Sequence, residues 1–235
     1  MARQGFGGLL TDEQWRRMVR SGTPRRHAAG QVIMRQGDPG GSVHLLVEGR
    51  VKVTLIRPDG EEVMLIMRTV GEALGEMSVI SGRPRTATVT SVGPSQTRML
   101  TEERFRDFIR SMELEPPLLR HLVERQNESD LLRAEQVTLP AGRRLAAALL
   151  RLSRLSGEPI EPGLGGPQGE GGRGVLLRLG LSQRELGESI GLSRTSVAVE
   201  FTRLREIGLI RTGRQYVAVL DVERLRQLAE GDVVL

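Results

Sequence analysis

The sequence predicts an α+β chain: a small N-terminal β-barrel or jelly roll, then one long helix, then a C-terminal winged helix-turn-helix. Three observations carry this. Between Arg26 and Met99 short β-type runs alternate with Gly-containing turns, a spacing that builds small barrels and jelly rolls. From Pro116-Pro117 to Pro140 there is helical sequence with no internal breaker. Between Leu181 and Ile210 two capped short helices meet at a glycine and are followed by a basic hairpin.

Taken in order, Thr11 is placed to cap a helix over Thr11 to Arg20, with Asp12 and Glu13 in its first turn. The β-type runs are Gln31–Arg35, Val43–Val47, Val51–Arg57, Glu61–Thr69 and Thr86–Val92, separated by Gly37-Asp38-Pro39-Gly40-Gly41, Gly49 and Pro58-Asp59-Gly60. Met64-Leu65-Ile66-Met67 is continuously apolar rather than alternating, which predicts a strand covered on both faces. Residues 101 to 114 read as a helix, and Pro116-Pro117 suit the first turn of the next one. Along that long helix Leu118, Leu122, Arg125, Ser129, Leu132, Gln136 and Leu139 recur at alternating spacings of four and three, a coiled-coil seam with polar interruptions. A parallel homodimer through Leu118–Leu139 would cover it; the alternative is a helix lying back on the barrel. Pro140 stops the helix, Ala141-Gly142 is read as a turn and interdomain hinge, and Arg143–Ser156 as another helix. The Gly/Pro-rich stretch from Gly157 to Gly174 holds almost no large apolar side chain and is expected to be a mobile surface loop inserted in the second domain. The expected domains are 1–115 as sensor, 116–140 as dimerisation helix and hinge, and 141–235 for DNA binding.

Composition narrows the function. The absence of cysteine excludes disulfides, thiolate zinc sites and cysteine-held iron–sulfur clusters. Lys52 is the only lysine, so the 34 basic residues are nearly all arginines, and the net charge of +5 suits polyanion contact through guanidinium forks. At 3% aromatic content there are no stacking platforms for single strands, whereas helical readout of duplex DNA needs none. No apolar run spans a membrane, and Met1–Leu10 lacks a basic segment followed by an apolar core, so the protein is expected in the cytoplasm without a membrane partner. His27, His44 and His121 stand apart in sequence, with no nucleophile–base or metal spacing, so an enzyme is not expected. A haem sensor would have only His121 to use on the long helix.

Two segments carry chemistry. Gly75–Val89 sets a carboxylate, Glu76, and a guanidinium, Arg85, on opposite shoulders of a short Gly/Pro-rich loop, beside Met77 and Thr86. An arginine fork grips phosphate oxygens and a carboxylate accepts from a sugar hydroxyl, so the pattern points to a sugar phosphate. The plain alternative is a strand-turn-strand in which Arg85 merely pairs with Glu76. In the second segment, Ser182 and Glu185 form a capping box, Gly191 ends that helix, Ser193 caps the next and Gly208 stops it. Leu186, Ile190, Val197, Phe201 and Leu204 are the inward positions. Arg194, Thr195, Ser196, Ala198 and Val199 then face a major groove, with Arg194 able to take a guanine edge. Ser182, Ser193, Arg203, Arg205 and, in the wing, Arg214 are placed for phosphates. The alternative is a three-helix packing unit whose arginines are only solvated.

Gly-Glu followed by Gly-Arg-Pro-Arg-Thr-Ala-Thr-Val resembles the phosphate-binding cassette of cyclic-nucleotide-binding domains. With the capped helix pair and wing, and glycines 30, 37 and 49 at barrel turns, nearly the whole chain resembles the cyclic-AMP receptor protein/fumarate-nitrate regulator (Crp/Fnr) family of bacterial transcription factors. The resemblance implies a cyclic-nucleotide-binding barrel and a homodimer on a two-fold-related duplex DNA site, with half-sites about one helical turn apart. It also implies contact with RNA polymerase, no obligatory cofactor, and cyclic AMP first or cyclic GMP second as effector. It maps the ribose and phosphate contacts onto Glu76, Arg85 and Thr86, a Thr for a Ser, with Gly75 and Met77 as further ligand-binding positions. The adenine-binding Thr-Ser pair of the long helix falls on Glu128-Ser129, next to Asn127, so the threonine is replaced by a carboxylate. The recognition helix lacks the Glu and second Arg of the usual Ser-Arg-Glu-Thr-Val-x-Arg pattern, so its operator is expected to differ. The competing reading keeps the fold without a nucleotide effector, either binding DNA constitutively or answering another small-molecule signal.

Overall fold

The computed structural model describes residues 3–160, 174–178, 180–213 and 216–231. The chain divides into two compact units, Met1–Asp130 and Leu131–Leu235.

The first unit opens with α1 (Gly5–Gly8) and α2 (Asp12–Ser21). Thr11 Oγ1 accepts from the Gln14 amide while the Gln14 side chain accepts from Thr11 N, a capping box that starts α2. Eight strands follow: β1 (Thr23–His27), β2 (Val32–Met34), β3 (Ser42–Glu48), β4 (Arg50–Ile56), β5 (Glu62–Thr69), β6 (Ala73–Leu74), β7 (Thr88–Ser91) and β8 (Ser95–Thr101). Short helix α3 (Glu76–Ser81) lies between β6 and β7. The strands form two antiparallel four-stranded sheets, ordered β1-β8-β3-β6 and β2-β7-β4-β5. Leu46 and Leu74 of the first sheet pack on Met34, Val51 and Val89 of the second. The opposite face of β3, Val43 and Leu45, joins Phe6, Trp15, Met18, Phe105 and Leu118 in a larger core under the helices.

The continuous run in β5 is not covered on both faces. Val53 pairs with Ile66 but Thr54 with Met64, so Leu65 is the extra residue of a β-bulge and is 40% exposed, while Met64 and Met67 are both buried. The bulge brings two methionines three residues apart inside, which strict alternation forbids.

Histidines that stand apart in sequence meet here. Because β8 lies between β1 and β3, His27 Nε2 and His44 Nδ1 both bond Thr97 Oγ1, at 2.9 and 3.1 Å. Burial, then His27, Arg85 and Arg25, push His44 down to about 4. The unfolded chain takes up that proton near 6.5 and the folded one near 4, so the first unit should lose on the order of 3 kcal/mol as pH falls through this window. Urea unfolding from pH 7 to 4, followed by the fluorescence of the single tryptophan, Trp15, should show a flatter profile for His44→Gln; parallel profiles would refute the assignment.

α4 (Glu102–Ser111) is capped by Thr101, and α5 (Glu115–Thr138) starts with Pro116 and Pro117 in its first turn. The seam expected along α5 is engaged at its start. Leu118 is in the core of the first unit and Arg125 faces Glu72, so these two positions lie on the unit's own body, while Leu122, Ser129, Leu132 and Leu139 are half-buried and Gln136 is exposed. Leu119, Val123 and Val137, at 64, 50 and 86% exposure, line a different stripe of the helix.

In the second unit α6 (Ala141–Ser156) begins directly after Pro140, so Ala141 and Gly142 lie within its first turn instead of forming a turn before it. Pro140, extended at ψ 157°, makes the change of direction alone. Arg143 donates to the carbonyls of Ala229 and Glu230, the C-terminal end of α9 (Val222–Glu230), where a cation also meets the negative end of the helix dipole. The remaining elements are β9 (Gly157–Pro159), β10 (Val175–Leu177), α7 (Gln183–Ser189), α8 (Arg194–Glu206), β11 (Ile210–Gly213) and β12 (Tyr216–Val219), with sheet order β11-β12-β10-β9. The stretch expected as a loop from Gly157 thus starts as a strand paired with β10, and its centre, 161–173, lies outside the described residues.

Candidate functional site

Gly75 turns the chain from β6 into α3 with φ +86°, a left-handed conformation at which a Cβ would also run into Arg85 Nη1. Arg85 is 6% exposed and donates from Nη1 to Gly75 O at 2.8 Å, and from Nη2 to Ser42 O and Oγ at 2.7 and 3.2 Å. Burial pulls this guanidinium below its ordinary value, against Glu76 and Asp38. Among the described residues Arg85 and Glu76 form no ion pair, so the plain alternative of a mutual salt bridge does not hold.

Glu76 instead faces α5. Its carboxylate, 1% exposed, lies 3.6 Å from His121 Nε2 and 3.4 Å from Arg125 Nη1. Burial alone would raise it, but Arg125 and His121 outweigh that and hold it below the usual carboxylate range. Arg125 also holds Glu72 at 2.7 Å, and Glu72 lies 3.6 Å from Arg68, which pairs with Glu128 at 2.6 Å. Glu76 Oε1 is a buried acceptor without a hydrogen-bond partner.

The structure therefore brings Gly75, Glu76 and Arg85 together, and places Glu128 on the same network through Arg68. Met77 is 47% exposed, Thr86 and Asn127 are exposed, and Ser129 is half-buried. His121, Arg125, Glu72, Arg68 and Ser42 were not singled out as site residues from sequence. The available signal was the spacing of His121 and Arg125, one turn apart on the face that carries Leu118.

In the second unit the two helices form as their caps dictate. Ser182 and Glu185 make the capping box of α7, Gly191 takes φ +66° after it, and Ser193 Oγ accepts from Ser196 N to start α8. Gly187 permits close approach, since a Cβ there would meet Val197 Cγ2 at 2.7 Å. Leu186, Ile190, Val197, Phe201 and Leu204 are all buried, as their spacing requires. Arg194, Thr195, Ala198 and Val199 are exposed on one end of α8, while the Ser196 hydroxyl turns back onto Ser193. Ser182 donates to Glu185 within its cap. Arg203 lies 3.6 Å from the buried Glu200, and Arg205 bridges Thr202 to Thr212 of β11, tying helix to wing. Arg214 lies outside the described residues.

Among the described residues no helix is long and apolar enough to cross a membrane, and no cluster of metal-ligating side chains occurs. Residues 24–112 match the cyclic nucleotide-binding domain and residues 143–228 the Crp-like helix-turn-helix domain. The cyclic AMP receptor protein of Thermus thermophilus is 30% identical over 212 residues, 88% of each chain. A CRP-like cAMP-activated global transcriptional regulator of Mycobacterium tuberculosis is 26% identical over 201 residues, 85% of each. A solved Crp/Fnr-family transcriptional regulator from Thermus thermophilus superposes with a TM-score of 0.72 at 25% identity, covering 88% of this chain and 98% of that one. A β-roll with this cassette, followed by a capped helix pair and wing in one chain, places the protein in the Crp/Fnr family of DNA-binding transcription regulators.

Proposed function

We propose that this regulator is a homodimer whose DNA affinity is set by a cyclic nucleotide bound between the cassette and α5. The observation that carries the reading is the Glu76 carboxylate buried on the helix that Gly75 initiates, with Arg85 on the other shoulder of the same loop. A ribose hydroxyl donates to the Glu76 carboxylate beside Arg125 and His121, and the phosphate takes the remaining N–H groups of Arg85. The names of the mycobacterial and Thermus relatives, both given for cyclic AMP, support the same class of effector. Because α5 carries His121 and Arg125 against Glu76, a ligand that bonds Glu76 changes the contacts of the helix that leads toward the second unit, and it switches binding only by its preference for one state. The exposed stripe of Leu119, Val123 and Val137 is the surface on which a second copy would close the dimer.

One observation favours the effector-free reading: Arg85 spends donors on Ser42 and Gly75. Isothermal titration with cyclic AMP and cyclic GMP separates the two. Wild type should bind at least one of them, and Arg85→Ala should weaken that binding by roughly 10- to 100-fold, the value of one or two charge-assisted bonds, with circular dichroism verifying that it folds. No binding of either nucleotide to wild type overturns the proposal. On the output side, Arg194→Ala should cost roughly 1–3 kcal/mol of specific DNA affinity at fixed salt and relax one operator position; unchanged selection from a randomised duplex pool would remove Arg194 from the groove.

A further inference from the structure

We infer that the base this site prefers is guanine, read by Arg68 and Glu128; the inference rests on the nucleotide reading above and names its ligand. His121, Arg125 and Glu128 follow one another at spacings of four and three, so they share a face of α5. The first two approach Glu76, and Glu128 lies about 4.5 Å beyond Arg125 along the axis, where a base extending from a ribose at Glu76 toward the C-terminal end of α5 would meet it. Arg68 comes from the sheet side. It stands opposite Val51 in the β4–β5 register, so its side chain leaves the face whose Val51 joins the inner cluster. Its side chain is 13% exposed, its Nη2 is 2.6 Å from Glu128, and its Nε is buried with no hydrogen-bond partner.

A guanidinium fork beside a carboxylate complements one purine. Guanine presents acceptors at O6 and N7, which match an arginine fork, and donors at N1 and N2, which match a carboxylate that can only accept. Adenine offers a carboxylate the N6 amino group alone and sets the N1 lone pair against it. The orphan Arg68 Nε is the donor that such a base would engage, and the free protein keeps the two charges paired until then. The side chain at position 128 thereby turns a site of this kind from adenine to guanine.

Isothermal titration on the full chain tests this with cyclic GMP, cyclic AMP and cyclic IMP, which keeps O6 and N1–H but lacks the N2 amino group. Cyclic GMP should bind roughly 10- to 100-fold more tightly than cyclic AMP, the discrimination of a good bidentate pair, with cyclic IMP between them. Glu128→Gln should bring the cyclic GMP to cyclic AMP ratio near unity. Cyclic AMP binding wild type as tightly as cyclic GMP, or cyclic IMP matching cyclic AMP, overturns the guanine assignment and leaves the nucleotide reading standing. Failure of all three to bind overturns both. The cyclic IMP arm needs no variant, so the result does not depend on how Glu128→Gln folds.

Discussion

Arg125→Met should cost the first unit about 3–5 kcal/mol at pH 7, because it removes the cation on which two buried carboxylates lean. Glu72 and Glu76 are 4 and 1% exposed, and Arg125 lies 2.7 Å from one and 3.4 Å from the other. Methionine fills much of the space and lacks the charge, so the loss is electrostatic and not a packing defect. What remains is weak: Arg68 at 3.6 Å from Glu72 and His121 at 3.6 Å from Glu76. The pH dependence has a definite sign. In wild type Glu76 is held below the usual carboxylate range, so its contribution is present above about 4.5 and is lost as pH falls below that. Without Arg125 burial prevails and pushes the carboxyl up, so the folded variant binds a proton the unfolded chain does not, and its deficit should shrink from pH 7 to pH 5. Urea unfolding followed by Trp15 fluorescence reads this directly, since the tryptophan lies in the same unit. A variant with the wild-type midpoint, or a deficit that grows on acidification, would show that Arg125 does not hold the carboxylates.

That network also marks where the sequence stops being legible. The cassette could be read because its chemistry is local: Gly75, Glu76 and Arg85 lie within eleven positions, and glycine announces the left-handed turn. The helix pair was legible for the same reason, since caps at Ser182 and Ser193 and breaks at Gly191 and Gly208 act over one turn. The partners of Glu76 were hidden because they come from a helix some fifty residues on, whose heptad spacing fits a partner chain as well as it fits the body of its own unit. The His27–Thr97–His44 bridge required the strand order β1-β8-β3, which no local pattern encodes. The bulge at Leu65 shows the limit within a single strand: four apolar residues in a row fit a doubly covered strand and a bulged one equally, and only the register of β4 chooses.

Phe201→Ala should destabilise the DNA-binding unit by about 3–5 kcal/mol, a large share of the 5–15 kcal/mol that holds a domain together. Phe201 is 1% exposed and lies on α8 between Val197 and Leu204, both fully buried, at the spacings of a helix stripe. It also lines a solvent-open cleft of about 260 Å³ with Leu181, Leu186, Tyr216 and Val217, so truncation widens that cleft as well as removing buried apolar area. Thr195, Ala198 and Val199, exposed and proposed to face the groove, lie away from this stripe, and Arg194 is exposed in the first turn of the helix. The variant should therefore select the same operator as wild type in the cold, yet release it on warming at temperatures where wild type still binds, as fluorescence anisotropy on a labelled duplex would record. Val199→Ala makes the converse change. Val199 is 52% exposed, so its truncation should leave thermal unfolding within about 0.5 kcal/mol of wild type while altering which duplexes are bound. A Phe201→Ala protein that melts like wild type, or that changes its operator without losing stability, would mean that α8 is turned on its axis and that the recognition face has been assigned to the wrong side.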